Sequence, residues 1–243
     1  MFIYMLDKVI SVAVLIIASP ILVPVLFLVW LQDGHAPFYI GPRVVRGGDG
    51  TFGMYKVRSM VVNADKSGLA STSNSDKRIT RLGHFVRRFK IDELGQLINV
   101  LRGDMSLVGP RPQVQQDVDL YTEAELDLLT VRPGITDLAS ITFSDEGDIL
   151  ATFDDADLAY NQRIRPWKSR LALIWVEQRS IGLYFQILYL TFLAVVNKPA
   201  ARTGVVALLS KLGVDQEIVK VARRETPLEP HAPLGSDTVF GGR

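Results

Sequence analysis

Residues 9–31, VISVAVLIIASPILVPVLFLVWL, form an apolar run broken only by Ser11, Ser19, Pro20 and Pro24. As one straight helix it would measure about 35 Å, enough to cross a hydrocarbon core of roughly 30 Å. A cleaved signal peptide fits poorly, because the run exceeds the usual apolar region and no small-residue cleavage site with a polar flank follows it. Membrane contact is therefore the first constraint on the fold. The prolines are the second. Pro20 offers no N–H to the carbonyl of Ile16, Pro24 offers none to that of Pro20, and each ring crowds the preceding turn. The residues predict a helix, a break at Ser19–Pro20 and a second helix, with the Ser19 hydroxyl satisfying freed backbone groups. Two half-helices that enter and leave by one face, or one kinked spanning helix, both meet this pattern.

The 243 residues suffice for one domain of about 150 residues with attachments. A net charge of +1, from 27 basic and 26 acidic residues, gives no bulk attraction for nucleic acid, so any phosphate binding is local. The chain has no cysteine, which excludes disulfides, thiolate zinc sites and a cysteine nucleophile and suits the reducing cytoplasmic side.

After residue 31, FYIGPRVV and TFGMYKVRSM flank the turn Gly47–Gly50 and read as a short hairpin. Residues 63–78 are polar and read as a surface loop suited to a lid. Ile79, Leu82, Phe85, Val86 and Phe89, then Leu94, Leu97, Ile98 and Leu101, recur at helical spacing and predict two helices or one bent at Ile91–Asp92, ended by Gly103. Residues 117–130 predict a further acidic amphipathic helix, stopped before Pro133. Residues 167–197 place Trp167, Trp175, Tyr184 and Tyr189 among aliphatic residues with Lys168, Arg170 and Arg179. That mixture predicts an interfacial helix, with a buried core helix as the alternative for 181–196, which at about 24 Å is short for a span. The last residues, ETPLEPHAPLGSDTVFGGR, predict a disordered tail.

The chemistry concentrates on FKIDELGQLINVLRGDMSLVGPRP, residues 89–112. Acidic residues in a first helical turn are commonplace caps. Asp92 and Glu93, however, follow Arg87, Arg88 and Lys90, while Lys56, Arg58, Arg111 beside Pro112, and Arg132 lie in neighbouring motifs. Two carboxylates can hold one Mg²⁺ while guanidinium groups grip phosphate oxygens, the requirement for transferring a phosphoryl-type group from a diphosphate. A carboxylate at a helix start among cations is expected to keep a low pKa and to serve as a nucleophile at phosphorus. Arg81 and Arg170 read as solvated or structural charges.

FYIGPRVVRGGDGTFGMYKVRSM, DKRITRLGHFVRRFKIDELGQLINVLRGDMSLVGPRP and VRPGIT resemble, in order and spacing, the bacterial sugar transferases known as monotopic phosphoglycosyl transferases. The resemblance covers roughly residues 5–200. It implies a mostly helical α+β protein in three parts: a re-entrant membrane helix broken at Ser19–Pro20 (1–33), a small catalytic domain with interfacial helices on the cytoplasmic face of the bacterial inner membrane (34–200), and a C-terminal extension (201–243). It further implies transfer of a sugar 1-phosphate from a UDP-sugar to polyprenyl (undecaprenyl) phosphate with release of UMP, as the first membrane step of exopolysaccharide, O-antigen or glycoprotein glycan assembly. Asp92 is then the nucleophile, forming an aspartyl phosphosugar, and Glu93 its partner on Mg²⁺. Lys56, Arg58, Arg111 and Arg132 bind phosphates or uridine, with Arg87, Arg88 and Pro112 completing the substrate set. Membrane lipids are partners, and a homodimer or downstream glycosyltransferases are compatible ones. The sequence departs from the family where Lys90 replaces a capping Ser or Thr, Gly95 a proline, and Asp137 the glycine after RPGIT. With no spanning helices before this domain in the sequence, it resembles the minimal form of the family. Two rivals of other classes are a catalytically silent scaffold of a glycan-assembly complex and a glycosyltransferase that releases UDP.

Overall fold

The computed structural model describes residues 2–64 and 76–242; residues 65–75 of the expected lid lie outside the described residues. Helix α1 (Phe2–Leu31) runs without interruption through both prolines, so the expected break does not split it into two elements. The reason is local. Ser19 Oγ donates to the Ile16 carbonyl at 2.7 Å, replacing the bond that Pro20 cannot make.

Both ends of α1 are tied to the remainder of the molecule. Near its start, the buried Asp7 carboxylate accepts hydrogen bonds from Ser106 Oγ (2.6 Å), the Leu107 amide (3.1 Å) and the Tyr184 hydroxyl (2.8 Å). Near its end, Leu22, Val25 and Val29 pack against Val57, Val86 and Ile91. The guanidinium of Arg58 donates to the Val29 carbonyl and grips Asp33 just beyond the helix. Between these anchors Ile16, Ile17 and Ile21 remain exposed.

Strands β1 (Phe38–Val44) and β2 (Thr51–Val57) form the expected antiparallel hairpin, with Phe38 opposite Val57 and Val44 opposite Thr51. Helices α2 (Arg81–Arg88) and α3 (Gln96–Arg102) follow the periodicity read from the sequence, joined by a 3-10 turn, Ile91–Gly95. A small parallel pair joins β3 (Ser106–Val108) to β4 (Gly134–Thr136). Here glycine is obligatory, since a Cβ on Gly134 would lie 2.1 Å from the Gly109 nitrogen.

The acidic helix expected over 117–130 is instead the short α4 (Gln115–Val118) followed by a 3-10 helix, Glu125–Thr130. A capping box interrupts it: Glu125 N donates to Thr122 Oγ1 at 3.2 Å and Thr122 N to Glu125 Oε2 at 3.1 Å. The same Glu125 is fully buried, paired with Arg165 and accepting from Ser169 Oγ.

Beyond β4 the chain forms α5 (Leu138–Thr142), α6 (Glu146–Leu150), α7 (Ala156–Ala159), a π-helical turn and α8 (Arg165–Gln178). The expectation of one interfacial helix over 167–197 is corrected at Arg179–Ser180, where the Ser180 hydroxyl caps a new helix, α9 (Ile181–Val196). Trp167, Trp175 and Tyr184 are core residues. Helix α9 has two apolar faces: Leu183, Tyr184, Ile187 and Leu190 are buried, while Phe185, Tyr189, Phe192 and Val196 stay exposed.

Helices α10 (Lys198–Lys211) and α11 (Gln216–Arg223) complete the fold. The tail after them, as far as residue 242, has neither helix nor strand but makes contacts with the turn before α8 and with α8. His231 N donates to Gln162 O at 2.8 Å, Gln162 Nε2 to Phe240 O at 2.8 Å, and Arg163 to Leu228 O, while the His231 ring lies 4.3 Å from that of Trp167. The long side chains of Gln162 and Arg163, in the turn before α8, supply donors that the tail's own composition lacks.

Candidate active site

Asp92 and Glu93 owe their position to two backbone features. Lys90 adopts a left-handed conformation (φ 57°), which turns the chain back at the end of α2 into the 3-10 turn. Gly95 then lets that turn lie on β2, because a Cβ there would sit 3.0 Å from the Tyr55 carbonyl oxygen and 3.2 Å from the Lys56 Cα. The departure from proline is thus a close approach that sets Lys56 beside the acidic pair. Asn99 stitches α3 to the same strand, its Nδ2 donating to Gly53 O (2.8 Å) and its Oδ1 accepting from Tyr55 N (2.9 Å).

From the end of β3, Arg111 reaches Glu93: Nη2 donates to Oε1 at 3.1 Å. Lys90 Nζ lies 3.7 Å from the same oxygen, and the 3-10 turn has no side-chain cap. Burial opposes the charge on Glu93, yet Arg111, Lys90 and Lys56 outweigh it and bring the carboxyl down to about 2. Arg111 is held charged chiefly by Glu93. Burial, reinforced by Arg111, brings the Lys56 ammonium down to about 8.

Asp92 behaves differently. One of its oxygens, Oδ1, is buried with no hydrogen-bond partner. Burial first, then the neighbouring Glu93, pushes its carboxyl above the ordinary value, against the lowering action of Lys56, Lys90 and Arg111. The expectation of a low pKa is corrected for this reason: the cations are present, but desolvation of an incompletely bonded oxygen outweighs them. Arg87 also acts on Asp92, its own charge being disfavoured mainly by burial.

Two expected phosphate ligands lie elsewhere. Arg58 is committed to Asp33, Val29 and Ala36 at the end of α1. Arg132 stacks over the Tyr4 ring of α1 at 4.0 Å. Arg88 is exposed over Phe89. Lys56, Arg87 and Arg111 do converge on the pair, and Pro112 lines a cavity behind Arg111.

That cavity holds polar residues the sequence reading missed. Lys168 Nζ donates to Glu146 Oε2 at 2.7 Å, Asp137 caps α5 by accepting from Ser140 N at 2.6 Å, and Tyr160 lies alongside. Burial pushes Asp137 and Tyr160 up. Only Asp137 carried a sequence signal, as a departure from the glycine of its motif. Arg43, at the end of β1, joins the same field beside Arg111, its charge opposed mainly by burial.

Among the described residues no group of three or more His, Asp or Glu side chains gathers to cage a metal. The Asp92–Glu93 pair, with an unpartnered carboxylate oxygen, fits Mg²⁺ bound by one or two carboxylates and completed by substrate phosphates and water. A buried carboxylate oxygen free of bonds, beside an ionised carboxylate and cations, is equipped for attack at a phosphorus whose other oxygens are gripped by those cations.

A family model described as bacterial sugar transferase matches residues 1–198. An undecaprenyl-phosphate glucose phosphotransferase of Komagataeibacter xylinus is 38% identical over 191 residues, 73% of this chain and 34% of the relative. An undecaprenyl-phosphate galactose phosphotransferase of Salmonella typhimurium is 39% identical over 157 residues, 58% and 33%. An exopolysaccharide production protein of Sinorhizobium fredii is 37% identical over 151 residues, 56% and 66%. The chain thus spans between a third and two thirds of the length of these relatives.

Proposed function

The chain belongs to the bacterial sugar transferase family, and on that premise we propose that it transfers a sugar 1-phosphate from a UDP-sugar to a polyprenyl phosphate. The relatives' names supply the substrate class. The observation that carries the reading to this chain is the buried, unpartnered Asp92 Oδ1 beside the Glu93–Arg111 pair. In the first step an Asp92 oxygen attacks the β-phosphorus, the bond to the bridging oxygen breaks, and UMP leaves with both electrons. In the second, an oxygen of the prenyl phosphate attacks the same phosphorus, forming a diphosphate and returning Asp92 as carboxylate. Arg111 and Lys56 bind the donor's phosphate oxygens, and Arg87 serves the nucleophile's side of the site. Asp92 and Glu93 would hold Mg²⁺, which supplies neutralisation of diphosphate charge.

The membrane arrangement proposed is monotopic and re-entrant, on the cytoplasmic face of the inner membrane. Asp7 and Val29 are separated by about 33 Å of helix, yet both are anchored to the domain that carries the active site. A helix that crossed the bilayer would carry its two ends to opposite faces. The exposed stripe Phe185, Tyr189, Phe192 and Val196 on α9 supplies a second apolar surface for the interface.

The nucleotide product tests this reading against its rivals. With a panel of UDP-sugars and undecaprenyl phosphate, the protein should release UMP; UDP would indicate a glycosyltransferase, and no product from any donor a scaffold.

A further inference from the structure

Helix α2 has two apolar sides with different fates. Leu82 and Val86 pack inward against Leu22, Val25 and Val29 of α1, with Val57 and Ile91. Phe85 and Phe89, one turn apart, remain 45% and 51% exposed, with ring centroids 4.9 Å apart. Two large rings left in water at the end of a short helix forgo stabilisation that a ligand can recover. The half of α1 that packs on Leu82 and Val86 also exposes Val23, Phe27 and Leu28.

Cations frame the same end of the helix. The Arg88 guanidinium sits 5.7 Å from the Phe89 ring centroid and has no carboxylate partner among the described residues. Lys90 is exposed, and its left-handed conformation leads into the 3-10 turn that carries Asp92, whose charge acts on Arg87 near the end of α2. An apolar strip, unpaired positive charge and a reactive carboxylate thus follow one another within eight residues, Phe85 to Asp92.

We propose that the Phe85–Phe89 pair, with Arg88 and Lys90, docks the prenyl phosphate acceptor. The first isoprene units lie on the two rings, and the phosphate is held by the two cations beside Asp92. This inference rests on the transferase reading for its choice of occupant. A bulk phospholipid would also meet rings and cations, but only an amphiphile whose phosphate must reach Asp92 accounts for their adjacency to it.

Two measurements separate the inference from the reading beneath it. The chain lacks cysteine, so Phe85→Cys carries a single thiol whose maleimide labelling needs no turnover. Undecaprenyl phosphate should slow that labelling several-fold in micelles, whereas an equal amount of phosphatidylglycerol should not; equal protection by both, or by neither, overturns the inference. In the transfer assay, Phe85→Ala with Phe89→Ala should raise the acceptor KM about tenfold, an effect in the range of two partly buried aromatic contacts. Arg88→Ala should do the same and Arg88→Lys largely restore it. Acceptor-independent UMP release and membrane pelleting should not change. An unaltered acceptor KM, with or without loss of membrane pelleting, reassigns the rings to bilayer anchoring, and parallel loss of acceptor-independent UMP release reassigns them to folding.

Discussion

Arg111 Nη2 donates to Glu93 Oε1 at 3.1 Å, while the adjacent Asp92 keeps Oδ1 buried and without a partner. The two carboxylates therefore differ in kind although they are neighbours in sequence. Glu93 is neutralised and fixed by Arg111, and Asp92 is left for a group that has yet to arrive.

Arg111→Ala should lower kcat/KM for the UDP-sugar by about 10 to 150-fold, the worth of one charge-assisted hydrogen bond of about 1.5–3 kcal/mol. Arg132→Ala, which removes the stacking on Tyr4, should leave it within about twofold. Steady-state kinetics on both folded variants checks the pair. A large loss from Arg132→Ala would return that residue to the substrate site.

The Glu146–Lys168 ion pair lies within the electrostatic reach of Arg111. Removing one partner of this half-buried pair leaves a poorly compensated charge, so Lys168→Met should destabilise the fold, by less than the about 3–5 kcal/mol of a fully buried pair. Glu146→Gln added to it should recover a large part. Denaturant unfolding of the four proteins gives the coupling, and strict additivity would show that the two side chains act separately.

Asp33 is held well below the usual carboxylate range, first by its hydrogen bonds with Arg58 and then by the His35 amide. A depressed folded pKa contributes stability that is present above the unfolded value near about 4 and lost as pH falls toward the folded one. The difference in Tm between the native chain and Asp33→Asn should accordingly be constant from about pH 5 to 8 and shrink below about pH 4. A difference that persisted unchanged into acid would mean that the Asp33 charge does not hold the end of α1.

Re-entry predicts that Met5→Cys and His35→Cys, both at exposed positions flanking the buried anchors, escape an impermeant label applied to intact cells. Labelling of Met5→Cys alone would establish a spanning helix. With Ser19→Ala the Ile16 carbonyl loses its substitute donor, so the helix should weaken locally by about 1 kcal/mol without changing sides.

The sequence carried the hairpin, the two helices around Asp92 and the exchange of Ser19 for a backbone donor, because glycine turns, helical period and proline chemistry act over a few residues. It also carried Lys56, Arg87 and Arg111, whose motifs are contiguous with the strands and turns that bring them together. Arg58 and Arg132 read the same way, yet their partners, Asp33 and Tyr4, come from α1, and no local pattern records which arginine faces which element. The break at Thr122 was present as a Thr-x-x-Glu box but was masked by the amphipathic period around it. The upward shift of Asp92 was not legible either, since charge is written in the sequence and burial is not.

Intact mass of the native chain after incubation with a donor UDP-sugar and Mg²⁺, without prenyl phosphate, tests the central claim most directly. The mass should rise by one sugar phosphate with up to one UMP released per chain, and Asp92→Asn should show neither. Turnover by Asp92→Asn, or UMP release that begins only when the lipid acceptor is added and never yields an adduct, would contradict covalent catalysis and leave direct attack by the lipid phosphate in a ternary complex.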